Sequence, residues 1–243
     1  MQDKLQKAIC NNNELYESIL SSQDIKSHKT DSIWYSLENT PPFYSNLVTV
    51  SKEWKPDDVF RNIDFNYEKE NWEEWSIKDS FAVLDLTEFG FTKLFDAQWM
   101  YLEANDFIAT ENSGNLHYKI VDNEETLSAW RLVWDIDEQI GKQIFSPKLL
   151  NNSKVFIVAG YKEQQIVSGC FVNKTGNVLG VSNFFAPDRE IYYWSDIIRF
   201  IRESIKCLDI VGYERNELVD KLHFLGFESI GNLTVWHKKA GKS

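Results

Sequence analysis

Apolar residues are concentrated in three short segments in the second half of the chain, 154–159, 166–172 and 177–185. Val, Ile, Phe and Leu dominate these segments, and polar turns at 162–165 and 174–176 separate them. Short β-rich segments between turn signals are typical of β-strands joined by hairpins. The pattern therefore predicts an antiparallel meander of three strands.

The apolar period then changes from that of a strand to that of a helix. Between Trp194 and Leu208 the apolar residues recur at three- and four-residue spacings, which places them on one helix face. A strand at 209–213, a helix capped by Asn216 and a last strand at 227–237 follow. The order β-β-β-α-β-α-β predicts an α/β (α+β) fold, with a mixed sheet and helices on its faces.

The first half of the chain is less regular. Residues 1–30 are polar with a weak helical pattern, and strands are expected at 33–37 and 46–50. A first-turn Pro followed by two Asp residues predicts a helix over 56–75. The remaining predicted elements are a linker at 102–115, a strand at 117–121 and a helix at 124–134.

Two segments match each other across the chain. Each contains a Leu, a bulky apolar residue, a Gly-Phe pair and an apolar residue three positions later, and Gly90 and Gly226 are 136 residues apart. Apolar residues also match upstream of each glycine, and their spacing predicts one helix face. They are Val83, Leu86 and Phe89 in the first segment and Val219, Leu222 and Leu225 in the second. Each glycine falls where a left-handed residue closes a helix. We interpret the match as a duplicated helix–Gly–strand unit.

The acidic composition restricts the classes of partner. The formal net charge is −11, and the Lys and Arg residues form no cluster before the C-terminal Lys238, Lys239 and Lys242. A basic surface supplies much of the affinity for nucleic acid and for anionic membranes, so neither is an expected partner. No apolar run is long enough to span a bilayer.

The Cys and His residues also exclude some functions. Cys10, Cys170 and Cys207 are odd in number and widely spaced, and the first residues contain no apolar signal core. This combination is typical of a cytoplasmic protein with reduced thiols. The four His residues are scattered and no Cys residues are paired, so we expect no metal site.

The order of these elements resembles the GNAT acyltransferase family. The residues that carry the resemblance are the strand 178–185 with its following helix, the strand 209–213, and Leu222-x-x-Leu-Gly-Phe227 with its closing strand. In the first half, the similar features are Pro42 to Val50, Leu86-x-x-Phe-Gly-Phe91 and Trp99-Met100, which resemble the degenerate N-terminal halves of tandem members. The resemblance covers roughly residues 30–240.

The resemblance implies two tandem GNAT-like domains. Residues 1–105 would form a degenerate N-terminal half, and residues 106–243 a C-terminal domain. Each would contain a mixed, mostly antiparallel sheet flanked by helices.

The resemblance also implies acetyl-CoA as the cofactor, bound where two neighbouring strands splay apart. In the family its pyrophosphate lies on backbone N–H groups of a Gly-rich turn at a helix start. The equivalent turn, 186–193, has no glycine, and Pro187 removes one donor. Asp188 and Glu190 carry the same sign of charge as pyrophosphate. The cofactor-binding residues that the resemblance implies are Phe184, Phe185, Arg189, Tyr192 and Tyr193.

The candidate catalytic residues follow the predicted strand 209–213. The family's usual general acid is a Tyr four residues before the Gly of the Gly-Phe pair, and here that position is Leu222. Tyr213 and Glu214 lie instead at the carboxyl end of a strand, the edge at which α/β sheets bind ligands. The Tyr could donate a proton and the Glu could deprotonate an amine. A solvated loop is the alternative interpretation of these two residues.

Ser182 and Asn183 end the strand 177–185 and are candidate substrate-binding residues. Their side chains could hold a substrate amide by hydrogen bonds. The alternative is that Asn183 serves a bulge or a turn.

Three functions remain open. The first is a GNAT-like N-acetyltransferase that moves an acetyl or acyl group from acyl-CoA to an amine of a small molecule or peptide. The second is a catalytically silent relative that binds a ligand or a protein, which the missing Gly-rich turn and Tyr favour. The third is a binder of another small metabolite in an aromatic cleft between the halves. A homodimer is compatible with all three.

Overall fold

The protein combines five α-helices and eleven β-strands in the part of the chain that the computed structural model describes, residues 2–55, 74–110, 116–135, 138–187 and 190–239. The helices are α1 (Gln2–Ser22), α2 (Glu124–Trp134), α3 (Glu138–Ile144), α4 (Ile191–Ser204) and α5 (Glu217–Phe224). The strands of the first half are β1 (His28–Lys29), β2 (Ile33–Tyr35), β3 (Leu47–Thr49), β4 (Glu74–Asp79) and β5 (Thr92–Leu102). Those of the second half are β6 (His117–Ile120), β7 (Val155–Lys162), β8 (Gln165–Thr175), β9 (Val178–Phe185), β10 (Asp209–Glu214) and β11 (Glu228–Lys239).

These elements agree with most of the sequence predictions. The meander, the helix at 124–134 and the strand–helix–strand order of the second half are confirmed. The polar N-terminal segment forms the long helix α1. The helix predicted at 56–75 lies outside the described residues except at its end, where Glu74 and Trp75 belong to β4. No helix in the described ranges is long and apolar enough to cross a membrane.

The strands form one mixed, mostly antiparallel sheet in the order β1-β2-β3-β4-β11-β5-β10-β9-β8-β7-β6. β5 and β11 run antiparallel at its centre, β4 pairs with β11, and β10 pairs with β5. Next to them, β3 is parallel to β4 and β9 is parallel to β10. The six central strands therefore repeat about an approximate two-fold axis between β5 and β11.

The same symmetry is present in the sequence. A shift of 136 residues moves β4 onto β10 and β5 onto β11 to within one residue. The glycine and the strand of the unit predicted from the sequence thus have a counterpart in the sheet, where β5 follows Gly90 and β11 follows Gly226. The halves interleave, because β11 of the second half lies between β4 and β5 of the first. The domain boundary at residue 105 stays a prediction.

The two glycines of the repeat have the expected left-handed backbone, with φ of 78° at Gly90 and 94° at Gly226. The helix predicted before Gly90 is wrong, since only a 3-10 turn at Thr87–Phe89 forms there. The buried Asp79 carboxylate accepts hydrogen bonds from the backbone N–H groups that follow it, those of Phe81, Val83 and Leu84. These bonds hold the segment in a tight turn and leave Val83 exposed.

Asn216 precedes α5 at the capping position, but its side chain makes no capping hydrogen bond. Its φ of 56° is left-handed, whereas a capping residue is normally extended. Asn123 has that extended backbone, and its side chain accepts a 2.9 Å hydrogen bond from the Thr126 N–H. The helix therefore begins after Asn216 as predicted, but the side-chain cap expected from Asn216 does not form.

Helices cover both faces of the central sheet. Along β5, Ala97, Trp99 and Tyr101 join the core under α1 and α2, while Met100 and Leu102 join the core under α4 and α5. The two-residue period of a strand explains this division. Because both faces are buried at the end of β5, residues 99–102 are all apolar.

Candidate functional site

β9 and β10 are hydrogen-bonded neighbours only over their first residues. Their parallel pairing runs from Val178 and Asp209 to Gly180 and Val211, and ends there, although both strands continue. Asn183 has a left-handed φ of 51°, and the pairing of β9 with β8 changes register beside it. Such a bulge bends its strand. We call the gap between 181–184 and 212–214 the wedge.

A cavity of about 230 Å³ occupies the wedge. Ser182, Asn183 and Phe184 of β9 line one side, and Tyr213 and Glu214 of β10 line the other. Further walls come from α1 and from the loop before β3, through Asn11, Asn12, Tyr16, Phe43 and Tyr44. The structure thus brings together five of the residues singled out in the sequence.

A second cavity, of about 570 Å³, lies between the two halves. Its lining includes Ser76 and Lys78 of β4 and Phe95 of β5, together with residues 213–215 and the loop 40–46. Phe43, Tyr44, Tyr213 and Glu214 line both cavities. The two spaces therefore adjoin at the end of β10.

Tyr213 lies at this junction. Its ring packs edge-on against Trp99, with centroids 5.6 Å apart, and the Lys78 ammonium lies 4.2 Å from the Tyr213 ring centroid. Burial raises the pKa of the Tyr213 phenol, and the positive charge of Lys78 opposes that rise. Tyr213 is therefore protonated at neutral pH and has a proton to donate.

Lys78 is the unexpected member of the site, since only 1% of its surface is exposed. Its Nζ donates a 3.1 Å hydrogen bond to Asn12 Oδ1 and lies 4.8 Å from the Tyr16 ring centroid. Burial lowers the pKa of the Lys78 amine, but the phenols of Tyr16 and Tyr213 outweigh this and raise it above its usual value. Within the described ranges, no carboxylate lies at ion-pair distance from it.

The loop before β3 connects the first half to the wedge. Asn46 attaches the end of this loop to β4 through two hydrogen bonds of 3.0 Å. The Ser76 N–H donates one to Asn46 Oδ1, and the Asn46 N–H donates the other to the Ser76 carbonyl. Burial raises the pKa of Tyr44, and the neighbouring Asn183 side chain opposes this. The second-half site is thus completed by first-half residues.

Other predicted residues lie around the wedge. Phe184 stacks on Trp194 with centroids 4.2 Å apart, whereas Phe185 packs edge-on against Trp130. Tyr192 and Tyr193 contact each other in the first turn of α4. Phe185, Tyr192 and Tyr193 do not belong to the lining of either cavity. Arg189, with Asp188, lies outside the described residues.

Leu222 is almost fully buried in the core under α4 and α5. Its side chain carries no proton that it could donate, so the position of the family's usual acid is occupied by a packing residue. In the described ranges, no three His, Cys, Asp or Glu side chains group closely enough to hold a metal ion.

In the described part of the first half, the corresponding strands β3 and β4 show no equivalent opening. They pair at Leu47 with Ile77 and at Val48 with Lys78. Beyond these pairs, the Thr49 hydroxyl donates a 3.3 Å hydrogen bond to the Asp79 carboxylate and accepts a 2.8 Å hydrogen bond from the Ser80 N–H. Hydrogen bonds therefore bridge the place where the second half has a cavity.

The fold is shared with known proteins, although no family model and no curated protein matches the sequence significantly. A GCN5-related N-acetyltransferase from Kribbella flavida superposes with a TM-score of 0.70 at 12% identity, over 97% of this chain and 96% of that one. This chain has a GNAT-like fold. Because the superposition spans nearly both chains in full, the likeness includes the first half as well as the second.

Two further structures share the GNAT-like fold. A functionally unknown conserved protein from Staphylococcus epidermidis ATCC 12228 has a TM-score of 0.67 and 12% identity, over 89% of this chain and 94% of that one. A tandem GNAT protein from the clavulanic acid biosynthesis pathway has a TM-score of 0.56 and 10% identity, over 87% and 79%. At these identities the likeness concerns the GNAT-like fold alone.

Proposed function

We propose that the protein is an acetyl-CoA-dependent N-acetyltransferase acting on an amine of a small molecule or peptide. The observation that carries the proposal is the wedge, which opens between two parallel strands and has Tyr213 and Glu214 on its wall. The GNAT-like fold of structural neighbours supports the same reaction class.

The residues of the wedge fit a slender thioester chain. Gly212 keeps the gap narrow but open, because a Cβ there would lie 2.9 Å from the Val181 carbonyl oxygen. Ser182 and Asn183 offer polar side chains on the opposite strand, and Phe184 offers an apolar face. Acetyl-CoA bound there would supply an acetyl group activated as a thioester.

Tyr213 and Glu214 can perform the two proton transfers that such a reaction needs. The Glu214 carboxylate accepts a proton from the acceptor amine, which makes the amine nucleophilic. The Tyr213 hydroxyl donates a proton to the leaving group. Both residues line both cavities, so a single pair can serve the wedge and the space beside it.

The larger cavity is the proposed acceptor site. Its volume of about 570 Å³ lies in the range of small-molecule pockets. Phe43, Leu94 and Phe95 supply apolar walls, while Glu214 and Arg215 supply charge at the mouth of the wedge. A small amine with an apolar portion fits this lining.

A second candidate function is a GNAT-like protein that binds a ligand without catalysis. The turn 186–193 without glycine favours it, as does Leu222 in place of the usual acid. The three free cysteines support the cytoplasm as the compartment for either function. A homodimer remains a prediction.

Thermal melts with acetyl-CoA separate the two candidates. Millimolar acetyl-CoA should raise the Tm of the wild-type protein, since a ligand of the native state stabilises it. Ser182→Trp should abolish the shift by filling the wedge, while Thr92→Trp on the exposed start of β5 should retain it. Release of free thiol from acetyl-CoA with a panel of amines then tests catalysis.

An unchanged Tm of the wild-type protein at millimolar acetyl-CoA would refute the proposed acetyltransferase function. A shift without thiol release from any amine would favour the silent relative. Loss of the shift in Arg189→Ala would assign the pyrophosphate to the turn 186–193.

A further inference from the structure

Lys78 places a positive charge inside the protein. The side chain is 1% exposed, and its partners are the neutral amide of Asn12 and the aromatic faces of Tyr16 and Tyr213. Transfer of an ammonium from water into such surroundings is costly, and an apolar residue of similar volume usually fits at lower cost. Packing alone therefore does not explain a lysine at this position.

The charge is close to the proposed proton donor. Lys78 Nζ lies 4.2 Å from the centroid of the Tyr213 ring, and Tyr213 lines both cavities at their junction. The hydrogen bond to Asn12 on α1 keeps the ammonium in this position. Lys78 belongs to the first half and Tyr213 to the second, so the contact crosses between the halves.

We propose that Lys78 is a positioning residue for Tyr213. The ammonium of Lys78 stabilises the phenolate that forms when the Tyr213 hydroxyl donates its proton. The inference deepens the proposed function and rests on it, since it takes Tyr213 as the acid of the acetyl transfer. It assigns to the first half of the chain a direct part in the chemistry of the second.

The groups around Tyr213 explain why a cation is needed. Glu214 follows it on the same strand, and Tyr16 faces it from α1; both disfavour a negative charge on the Tyr213 phenol, as does burial. Tyr44 adds a neutral phenol from the loop before β3, and the Arg215 guanidinium lies against Phe95. Lys78, from β4, is the charge that opposes these effects.

The proton balance of the reaction is complete with these residues. The Glu214 carboxylate takes one proton from the amine, and the Tyr213 hydroxyl gives one proton to the departing thiolate. A proton passed back through water from Glu214 to Tyr213 restores both. Lys78 keeps its own proton throughout and acts only through its charge.

A titration of the phenol at position 213 tests the inference without any measurement of enzyme activity. We would incorporate 3,5-difluorotyrosine at position 213, where the fluorines lower the phenol pKa into an accessible range, and follow its ionisation by fluorine NMR. Lys78→Met should raise the midpoint by about one to three pH units, the usual effect of a nearby opposite charge. Lys78→Arg keeps the charge and should restore most of the difference.

Lys119→Met is the matched control, because Lys119 is an exposed lysine 6.0 Å from the ring of another tyrosine, Tyr161. It should leave the midpoint at position 213 unchanged. A Lys78→Met midpoint equal to that of the wild type would overturn the inference. Circular dichroism verifies that each variant is folded.

Activity measurements add a second readout and separate the two proposals. Lys78→Met should keep the acetyl-CoA Tm shift, lower kcat and move the alkaline limb of its pH profile. A wild-type protein without any Tm shift would refute the proposed function itself, and with it the role of Lys78 in the transfer. A normal Tm shift with an unchanged kcat and pH profile in Lys78→Met would refute the inference alone.

Discussion

The Tyr101 hydroxyl donates a hydrogen bond of 2.5 Å to the carboxylate of Asp209, where β5 of the first half meets β10 of the second. The other carboxylate oxygen accepts a 3.0 Å hydrogen bond from the Ala104 N–H. Asp209 begins the strand that borders the wedge, and its pairing with β9 ends two residues later, at Val211. These bonds therefore fix β10 just before the point at which the two strands diverge.

We predict that Asp209→Ala lowers the free energy of unfolding by about 1.5–3 kcal/mol, the usual contribution of a hydrogen bond to a charged group. Urea denaturation measures it. Tyr101→Phe should lower the free energy of unfolding by less, because the hydrogen bond from the Ala104 N–H to Asp209 remains. The double variant should lose less than the sum of the two single losses, since they share one interaction. Additive losses would show that the Tyr101–Asp209 bond contributes little to stability.

Gly226 should tolerate no side chain. Its φ of 94° is left-handed, and a Cβ there would overlap the Asp106 carbonyl oxygen. We predict that Gly226→Ala destabilises the protein by more than about 2 kcal/mol, from backbone strain and steric overlap together. Gly176→Ala is the control, because φ is 55° there but no atom lies within 4 Å of the added Cβ. Equal losses of unfolding free energy at the two sites would show that backbone strain, and not steric overlap, causes the destabilisation.

Catalysis should depend on the two residues at the end of β10. We predict that Tyr213→Phe and Glu214→Gln each reduce kcat by about 10²–10⁴-fold, the usual contribution of general acid–base catalysis. Both variants should retain the acetyl-CoA Tm shift, because the wedge keeps its shape. Thiol release measured at saturating amine provides kcat. A variant with full activity would remove that residue from the mechanism.

Stability should fall at alkaline pH. Burial raises the pKa of the Cys170 thiol in the folded protein above its usual 9.0. The unfolded thiol therefore ionises first, and stability is lost as the pH rises above about 9. We predict that the stability difference between wild type and Cys170→Ala shrinks between pH 9 and 10, by up to about 1.4 kcal/mol per pH unit. Urea midpoints at several pH values measure it, and a constant difference would contradict the assignment.

Much of the fold could be predicted because its signals are local. The β-rich segments of the meander, the helical period after Trp194 and the two Gly-Phe pairs each predict an element from its own residues. The helix predicted before Gly90 does not form, because the buried carboxylate of Asp79 holds this segment in a turn. Its effect cannot be seen in the apolar spacing.

The site could be predicted only where it lies at strand ends. Tyr213 and Glu214 follow a recognisable strand, and the bulge at Asn183 was one of two interpretations of an Asn at that place. Lys78 and Asn12 were missed, because a charged or amide side chain normally indicates a solvated face. Their burial depends on packing α1 across strands of both halves, which no local pattern contains.

The position of β11 between β4 and β5 has a consequence for the order of events during synthesis. The first half leaves the ribosome with β4 and β5 but without the strand that separates them, because β11 is made after every other strand described. Until then the edges of both strands are open to wrong partners. The centre of the sheet can close only when β11 arrives, so the assembly of both halves ends in a single late step.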